Sequence, residues 1–352
     1  MIRVGLVGFG NAGRVLHAPL ISSVSGLELA AIVERSTNLA AERYPGIATY
    51  RTLEDLLEDA SLNLIVLATP TGNHFELARR ILEAGKNLVV DKPMAVEAVE
   101  IAQLMELASA RGVLLAPFHN RRWDSDFRTI EKLIHEGSIG RLAYFESNFD
   151  RWIPVPRAGA WRDGLAAGSG MLLDLGTHLA DQALVLFGKP EAVSAEVLRE
   201  RGGEGSDDSF TLRLRYGNFR VTLGANCLSA LLRPRFHLRG TKGNYWKWGL
   251  DPQEAALREI ARIGEGPWGE EAAVNWGKLA VDADGSMVTR PIRPVPGDYR
   301  LYYAGIRDAL LGKAAAPVTA LDAWRAARVL ELALASSKER REIVCDWSDE
   351  PK

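Results

Sequence analysis

The chain has 352 residues, of which 47% are hydrophobic and 25% are charged, and this composition predicts a globular protein of about two domains. Its net charge of −2 gives no general attraction for nucleic acid. No apolar run reaches the roughly 18 residues of a membrane-spanning helix, and Cys227 and Cys345 lack the spacing of a metal site. With no signal peptide before the first strand, the sequence predicts a cytoplasmic protein that binds neither nucleic acid nor membranes.

The first thirteen residues are typical of a strand, a glycine turn and a helix start. Residues 2–7 are apolar and rich in β-branched side chains, which predicts a buried parallel strand. In the G-x-G-x-x-G motif that follows, Gly8 turns the chain, Gly10 admits a pyrophosphate and Gly13 lets the helix approach the strand. A turn without a ligand is the alternative. We favour a dinucleotide site, held by the anion-binding helix start, at Gly8, Phe9, Gly10, Asn11, Ala12 and Gly13.

A second strand is predicted over residues 27–33, and it ends at Glu34. A carboxylate at this strand tip can accept hydrogen bonds from the adenosine ribose and disfavours the 2′-phosphate of NADP. Arg35 and Ser36 follow at once, and they could hold that phosphate if Glu34 turned away. The sequence therefore favours NAD and leaves NADP open. A solvated strand end is the alternative for Glu34.

The next loop also points to the cofactor. After a short helix over 53–57, a buried strand over 62–68 ends at a loop rich in Pro and Gly. Asn73 is a good N-cap for a helix over 74–84. Because this loop follows a parallel strand, it lies at the sheet edge where ligands bind. We expect the nicotinamide side to be lined by Thr69, Pro70, Asn73 and His74, although His74 is equally well explained as a polar residue at a helix start.

Lys92 is the predicted reactive group of the first domain. A strand over 86–90 runs into Asp91, Lys92 and Pro93, so the lysine stands at the carboxyl end of a central strand. Pro93 restricts the backbone of Lys92 to extended conformations and makes a cis bond accessible. Asp91 and Lys92 complete the predicted cofactor-binding set. A helix over 96–111 and a strand over 113–117 then end the nucleotide domain near residue 118.

The predicted second domain covers residues 119–352. It opens with a segment that contains Asn120, Arg121 and Arg122, which either bind a polar substrate or tie the domains together, before a helix over 124–136. A strand over 142–149 leads into an irregular stretch. Donors matched to hydroxyls beside an aromatic ring suit a sugar, and a loop anchored by tryptophan burial is the alternative. The predicted substrate residues are Asn120, Arg151, Trp152, Trp161 and Arg162, together with Lys92, Asp174 and His178.

The remaining pattern predicts an α+β domain. A helix over 171–187 is followed by runs with period-two patterning at 193–199, 210–216, 219–226 and 235–239, which indicate a mostly antiparallel open sheet. A long excursion over 249–285 contains a short helix. Helices are expected over 299–311 and 321–338. The final helix, residues 320–338, is expected to pack back on the nucleotide domain.

Polar side chains interrupt the apolar helix over 171–187. Asp174, His178 and Asp181 are four and three positions apart, so they share one helical face. Such groups are costly to bury unless they pair structurally or face a cleft. Three groups on one face without a second histidine make a poor zinc site, and we predict no metal. Opposite a nicotinamide loop and an aimed lysine, we favour the catalytic interpretation.

Four motifs together resemble the glucose–fructose oxidoreductase/inositol dehydrogenase (Gfo/Idh/MocA) family over nearly the whole chain. They are residues 8–13, Ala-Thr-Pro-Thr-Gly-Asn-His over 68–74, Val-Val-Asp-Lys-Pro over 89–93, and residues 170–181. Asp91 stands where the family usually has Glu. Residues 119–127 and 160–162 resemble a branch that contains NADP-dependent scyllo-inositol dehydrogenase. That branch usually lacks an acid where Glu34 stands.

The resemblance implies an α/β N-terminal Rossmann domain with a parallel sheet and an α+β C-terminal domain with a mostly antiparallel open sheet. It implies that Lys92, Asp174 and His178 form the catalytic group, and that the open sheet mediates homodimers or homotetramers. The expected activity is hydride transfer between NAD or NADP and a secondary hydroxyl of a polyol or sugar, with an inositol-like substrate favoured. The alternatives are an aldose or dihydrodiol dehydrogenase of the same fold, and a non-enzymatic NAD(P)-sensing regulator.

Overall fold

A computed structural model of the chain describes residues 1–156, 163–259, 263 and 268–351. Trp161 and Arg162, two of the predicted substrate residues, lie outside these described residues. Within the described ranges, no helix is both long enough and apolar enough to cross a membrane. The chain divides into two compact units, which are Met1–Asn120, Gln253–Trp268 and Asp298–Trp324 for the first, and Arg121–Pro252, Gly269–Gly297 and Arg325–Lys352 for the second.

The first unit contains a six-stranded parallel sheet. Its spatial order is β3-β2-β1-β4-β5-β6, where the strands are β1 Ile2–Val7, β2 Leu27–Val33, β3 Ala48–Tyr50, β4 Leu64–Leu67, β5 Asn87–Val90 and β6 Leu115–Pro117. This is the order of a doubly wound nucleotide-binding fold, in which ligands bind beyond the carboxyl ends of the strands where the order reverses. The prediction of an α/β Rossmann domain is confirmed.

Helices connect these strands. The first begins with a π-helical turn, Gly13–His17, and it is followed by α1 Ala18–Ser23, α2 Leu39–Arg43, α3 Leu53–Leu57, α4 His74–Glu83 and α5 Ala98–Arg111. A reciprocal capping box of Glu97 and Glu100 begins α5, and Gly112 ends it in the left-handed conformation. The sequence pattern does not predict α2 or β3, because elements of three to five residues carry too few periodic positions to stand out.

Two segments from the second half of the sequence belong to the first unit. They contain α8 Gln253–Glu259 and α9 Arg300–Leu310, and the buried Gln253 accepts a hydrogen bond from the Tyr299 backbone N–H at 2.7 Å. Tyr302 is fully buried, and its ring is nearly perpendicular to that of Phe118 at a centroid separation of 4.9 Å. The domain boundary predicted near residue 118 does not include these two segments in the first domain, because aromatic packing between remote parts of the chain has no local sequence signal.

The second unit contains a nine-stranded sheet. Its order is β14-β13-β12-β11-β7-β10-β9-β8-β15, and all neighbours are antiparallel except β7 and β10. The prediction of a mostly antiparallel open sheet is therefore confirmed. The strands are β7 Leu142–Asn148, β8 Ala192–Leu198, β9 Ser209–Tyr216, β10 Phe219–Asn226, β11 Phe236–Gly240, β12 Gly243–Lys247, β13 Gly277–Ala283, β14 Ser286–Ile292 and β15 Ile343–Val344.

Helices cover one face of this sheet and build its core. They are α6 Ser125–His135, α7 Thr177–Phe187 and α10 Ala320–Glu339. The shared hydrophobic core includes Leu179 and Leu330 together with inward-facing sheet residues such as Leu212. Only the start of α10, up to Trp324, belongs to the first unit. From Arg325 onward the helix contributes residues such as Leu330 to the core of the second unit, and its packing on the nucleotide domain stays a prediction.

Candidate active site

In the glycine turn after β1, Gly8 and Gly13 have no room for a side chain, whereas Gly10 has room for one. Gly8 has a φ of +100°, and a Cβ there would lie 2.7 Å from the carbonyl oxygen of Ala68. A Cβ on Gly13 would overlap the carbonyl oxygen of Gly8. At Gly10, by contrast, a Cβ would meet no described atom within 4 Å beyond its own chain neighbours. The turn therefore packs on itself and leaves room at Gly10, which is the shape that a bound pyrophosphate requires.

Three strand ends lie side by side at the carboxyl edge of the parallel sheet. In the strand register, Val7 of β1 pairs with Leu67 of β4, and Leu67 pairs with Val90 of β5. The next residues are Gly8, Ala68 and Asp91, so the glycine turn, the loop that begins at Thr69 and the lysine turn leave the sheet at one level. The register thus brings together three segments that the sequence analysis assigned to the cofactor.

Lys92 is half-buried, and its peptide bond to Pro93 is cis. Its backbone N–H donates to Asp91 Oδ1 at 2.8 Å, and His17 Nε2 lies 3.8 Å from the same oxygen. Burial alone would raise the pKa of the Asp91 carboxyl, but His17, Lys92 and His74 lower the pKa below its ordinary value. Asp91 is therefore an anion at neutral pH, and it places a negative charge behind the lysine.

His74 lies between two of these loops. Its Nδ1 lies 2.8 Å from the carbonyl oxygen of Pro93, and its Nε2 lies 2.8 Å from the carbonyl oxygen of Thr69. The ring is buried, and burial lowers the pKa of His74 although Asp91 and both carbonyls act to raise it. With this lowered pKa the ring is neutral at neutral pH, so one ring nitrogen carries the proton and His74 donates to one of the two carbonyls at a time. The ring therefore packs between the loop after β4 and the lysine turn and hydrogen-bonds to one of them. Asn73, expected to cap α4, makes no side-chain capping bond within the described chain.

Arg258 of α8 reaches the glycine turn. Its Nη1 donates to Asn11 Oδ1 at 2.9 Å, while its Nη2 donates to Glu254 Oε1 at 2.8 Å. Asn11 stands in the first turn of the helix whose free N–H groups favour an anion. Arg258 thus adds a cation beside the predicted phosphate site. Arg258 is not among the predicted site residues, because nothing in the local sequence distinguishes it from any other exposed helical arginine.

Glu34 does not present its carboxylate at the tip of β2. The side chain is only 6% exposed, and its Oε2 accepts a hydrogen bond from the Ala40 backbone N–H at 3.1 Å. Its Oε1 accepts a hydrogen bond from the Thr37 hydroxyl. Arg35 and Ser36 are exposed. The carboxylate that the sequence analysis assigned to the ribose is therefore engaged with the start of α2.

In the second unit, Asp174 and His178 lie where the helix changes form. Asp174 belongs to a π-helical turn, Leu172–Gly176, and α7 continues directly from it with His178 in its first turn. Short π-helical turns within α-helices occur frequently at functional sites. Asp174 is half-buried and His178 is buried. Asp174 and His178, whose spacing of four residues predicted a shared helical face, therefore lie on either side of the junction between the π-helical turn and α7.

The start of this helix is held by Asp207, which the sequence analysis did not single out. Asp207 Oδ2 accepts a hydrogen bond from the Leu172 N–H at 2.7 Å, and its carbonyl accepts one from the Met171 N–H at 3.0 Å. Burial raises the pKa of its carboxyl. Gly170, with a φ of +101°, lies so close that a Cβ would overlap the Asp207 carboxylate. Asp207 and Gly170 therefore set where the helix that carries His178 begins.

Asp181, the third polar residue of the predicted line, forms an ion pair. Arg122 donates to it through both arms, Nε to Oδ2 at 2.9 Å and Nη2 to Oδ1 at 2.6 Å. The adjacent Gln182 accepts from Arg235 Nη2 at 2.9 Å and donates to the Arg121 carbonyl at 2.9 Å. The Arg122–Asp181 pair lies within the second unit, so it is neither of the two roles considered for Arg122, which were binding a polar substrate and tying the domains together. Together they fix the helix one turn beyond His178.

The predicted substrate residues fall in different places. Trp152 forms an isolated β-bridge with Leu228, and the Arg151 N–H donates to the Asn226 carbonyl at 2.9 Å. The Trp152 side chain is 58% exposed, so burial of the indole does not anchor this segment. Asn120 is buried in the first unit. Lys92 also belongs to the first unit, whereas Asp174 and His178 belong to the second.

Two family models match the chain. The model described as "Oxidoreductase family, NAD-binding Rossmann fold" matches residues 2–119. The model described as "Oxidoreductase family, C-terminal alpha/beta domain" matches residues 131–345. Together they cover most of the sequence.

Curated proteins and solved structures agree with these matches. The uncharacterized oxidoreductase YdgJ of Escherichia coli is 41% identical over 96% of this chain and 97% of its own length. The scyllo-inositol 2-dehydrogenase (NADP(+)) IolW of Bacillus subtilis is 35% identical over 98% of this chain and 96% of its own. The solved structure of the oxidoreductase yvaA from Bacillus subtilis superposes with a TM-score of 0.94 at 35% identity, covering 98% of each chain.

The glycine turn gives a matched pair of variants. Gly10→Ala adds a methyl group where space is open, so we expect unchanged thermal unfolding and at least roughly tenfold weaker dinucleotide binding, about 1.4 kcal/mol. Gly13→Ala forces the turn apart, so we expect a lower unfolding temperature as well. Calorimetric titration with NAD⁺ and NADP⁺ together with thermal unfolding separates the two. Wild-type affinity in Gly10→Ala would mean that the phosphates lie elsewhere.

The Arg122–Asp181 pair predicts a stability effect. Arg122→Ala removes the bidentate partner of the buried Asp181 carboxylate, which should lower the free energy of unfolding by on the order of 3 kcal/mol. We expect a correspondingly lower midpoint in urea unfolding. Arg141→Ala, at an exposed position of the same unit, is the control and should unfold as the wild type does. Equal unfolding free energies for both variants would show that the pair does not hold α7.

Proposed function

The chain belongs to the Gfo/Idh/MocA oxidoreductase family, and we propose that it is a dehydrogenase that interconverts a secondary hydroxyl of a polyol or cyclic sugar with the ketone. The observation that carries this proposal is the common level of three strand ends. It gathers the glycine turn, the Thr69 loop and Lys92 at the ligand-binding edge of an NAD(P)-binding Rossmann domain. A lysine at that edge suits a reaction at the nicotinamide end of the cofactor.

The proposed mechanism uses Lys92, Asp174 and His178. When bound, the nicotinamide accepts or supplies the hydride. His178 takes the proton of the substrate hydroxyl, a role that fits imidazole because its unperturbed pKa of about 6.5 is close to working pH. The Lys92 ammonium donates a hydrogen bond to the same oxygen and stabilises the negative charge that develops there. Asp174 orients the imidazole or accepts a neighbouring hydroxyl. In ketone reduction, His178 returns the proton.

The surroundings of Lys92 support this role. Asp91, an anion at neutral pH, accepts the Lys92 N–H and fixes the turn from behind. The buried His74 ring packs against the turn from its other side, with Nδ1 2.8 Å from the Pro93 carbonyl oxygen. A group that must meet a reacting oxygen benefits from such a rigid base, because misplacement of about 1 Å can cost on the order of 10²-fold in rate.

We propose an inositol-like polyol as the substrate. Arg151 and Asn120 are donors suited to several hydroxyls, and the exposed Trp152 offers an apolar face to a ring. The relative IolW, named a scyllo-inositol 2-dehydrogenase (NADP(+)), supports this choice. An aldose or dihydrodiol dehydrogenase is the alternative, and a substrate panel read by cofactor absorbance distinguishes them. A non-enzymatic sensor is less well supported, because both Lys92 and His178 are present.

The catalytic assignment predicts large losses of turnover. On the substrate that the panel identifies, His178→Ala and Lys92→Ala should each lower kcat by about 10²-fold or more, the usual contribution of general acid–base groups. His135→Ala and Lys132→Ala, both on the exposed face of α6, are matched controls that should keep wild-type kcat. If both active-site variants keep normal turnover, these residues do not carry the reaction.

We also propose that two copies associate through the open face of the nine-stranded sheet. The face opposite the helices carries a run of neighbouring rings, Tyr144, His237, Trp246 and Trp248, with centroid separations of 5.0 to 5.7 Å. Trp246 and Trp248 are 44% and 43% exposed. An apolar patch of this kind is typical of an interface, and a two-fold pair would cover it with its own copy.

Light scattering tests this association. We expect the wild type to have the mass of a dimer or tetramer, and Trp246→Glu to shift it toward the monomer because a carboxylate would be buried without a partner. Leu311→Glu, at an exposed site at the end of α9, should leave the mass unchanged. A wild-type monomer at micromolar concentration would contradict the proposal.

A further inference from the structure

The end of β2 decides which dinucleotide the Rossmann domain accepts. In this fold the adenosine ribose lies beside the tip of the second strand. A free carboxylate there accepts hydrogen bonds from the ribose hydroxyls of NAD and repels the extra phosphate of NADP. A cation and hydroxyl at that place have the opposite preference. The orientation of Glu34 and of its two successors is therefore the relevant observation.

Both carboxylate oxygens of Glu34 already have donors from the loop that follows β2. The Ala40 N–H, in the first turn of α2, donates to Oε2 at 3.1 Å. The first two residues of α2, Leu39 and Ala40, have no acidic side chain that could cap the helix instead. The Thr37 hydroxyl donates to Oε1. This is the arrangement of a helix-capping acid, in which the carboxylate satisfies the N–H of a first helical turn. Turning Glu34 outward would break both bonds.

Arg51 closes the same loop from the side of β3. Its Nη1 donates to the carbonyl oxygens of Glu34 at 2.8 Å and Thr37 at 2.6 Å, and its Nη2 donates to the Asn38 side chain. The Glu34 N–H in turn donates to the Tyr50 carbonyl at 3.0 Å. The backbone of this loop is therefore held on both sides of Glu34. This network fixes the backbone of Glu34, and a rotation of its side chain toward a ribose would break the carboxylate bonds to Thr37 and Ala40.

With Glu34 turned inward, Arg35 and Ser36 are the exposed side chains at the strand tip. A guanidinium and a hydroxyl match a phosphate dianion, because charge-assisted hydrogen bonds to phosphate oxygens are among the stronger ones in proteins. We infer that Arg35 and Ser36 bind the 2′-phosphate of NADP(H), that Glu34 is a capping residue, and that the chain prefers NADP(H) to NAD(H). This rests on the proposed function only in requiring that the glycine turn binds a dinucleotide.

Binding measurements test the inference without any knowledge of the substrate. Calorimetric titration of the full chain with NADP⁺, NAD⁺, 2′,5′-ADP and 5′-AMP should give tighter binding of each 2′-phosphorylated probe than of its partner. Arg35→Ala should weaken NADP⁺ and 2′,5′-ADP roughly tenfold or more and leave NAD⁺ unchanged, as expected when a charge-assisted hydrogen bond is lost. Ser36→Ala should act in the same direction with a smaller effect.

Two further variants complete the test. Arg111→Ala removes an exposed arginine at the end of α5, which leads into β6 at the opposite edge of the sheet, and it should change neither affinity. Glu34→Gln keeps an acceptor for the loop and should keep the preference for NADP⁺, with thermal unfolding as the check on folding. A selective loss of NAD⁺ binding in Glu34→Gln would show that the carboxylate does contact the ribose and would overturn the inference.

The outcomes also separate this inference from the proposed function. Tighter binding of NAD⁺ than of NADP⁺, or an equal loss of both in Arg35→Ala, overturns the assignment of the 2′-phosphate site and leaves the dehydrogenase proposal standing. Failure of the wild type to bind either dinucleotide overturns both. Preference for NADP⁺ that depends on Arg35 supports the inference alone, because it says nothing of Lys92 or His178.

Discussion

The site depends first on the common level at which β1, β4 and β5 leave the parallel sheet. Hydrogen bonding between the strands fixes that level through the pairs Val7–Leu67 and Leu67–Val90. The glycine turn, the Thr69 loop and the lysine turn all start from this edge, so a shift of one residue in the register would move the glycine turn away from Lys92. The buried His74 ring lies between two of the loops, within hydrogen-bond distance of the carbonyl oxygens of Thr69 and Pro93, and donates to one of them.

Charged side chains hold the segments of both units that carry the proposed site residues. Asp91 is a buried anion behind Lys92, and Arg258 adds a cation at the first turn of the glycine helix. In the second unit, the Asp207 carboxylate holds the start of the helix that carries His178, and Arg122 holds Asp181 one turn later. Lys92 and His178, the residues we propose to be catalytic, are thus each set on a segment that polar contacts hold in place, which is what a preorganised site requires.

Local patterns predicted the parts of the fold that local physics decides. The glycine turn, the strand that ends at Lys92 and the helix around His178 were visible because turn chemistry and apolar periodicity are short-range signals. Glu34 was different, because its direction depends on α2, an element of five residues that the pattern did not reveal. Asp207 and Arg258 escaped notice for a related reason. Their partners lie far away in sequence, and no spacing rule connects them.

The central claim is that Lys92 and His178 act on one substrate oxygen beside the nicotinamide. A crystal structure of the chain with NADP⁺ and the polyol that the substrate panel selects tests it most directly. The account predicts that a single hydroxyl oxygen lies within about 2.6–3.2 Å of both Lys92 Nζ and a ring nitrogen of His178, with its carbon facing the nicotinamide ring. A substrate hydroxyl at the nicotinamide that contacts neither side chain would contradict it.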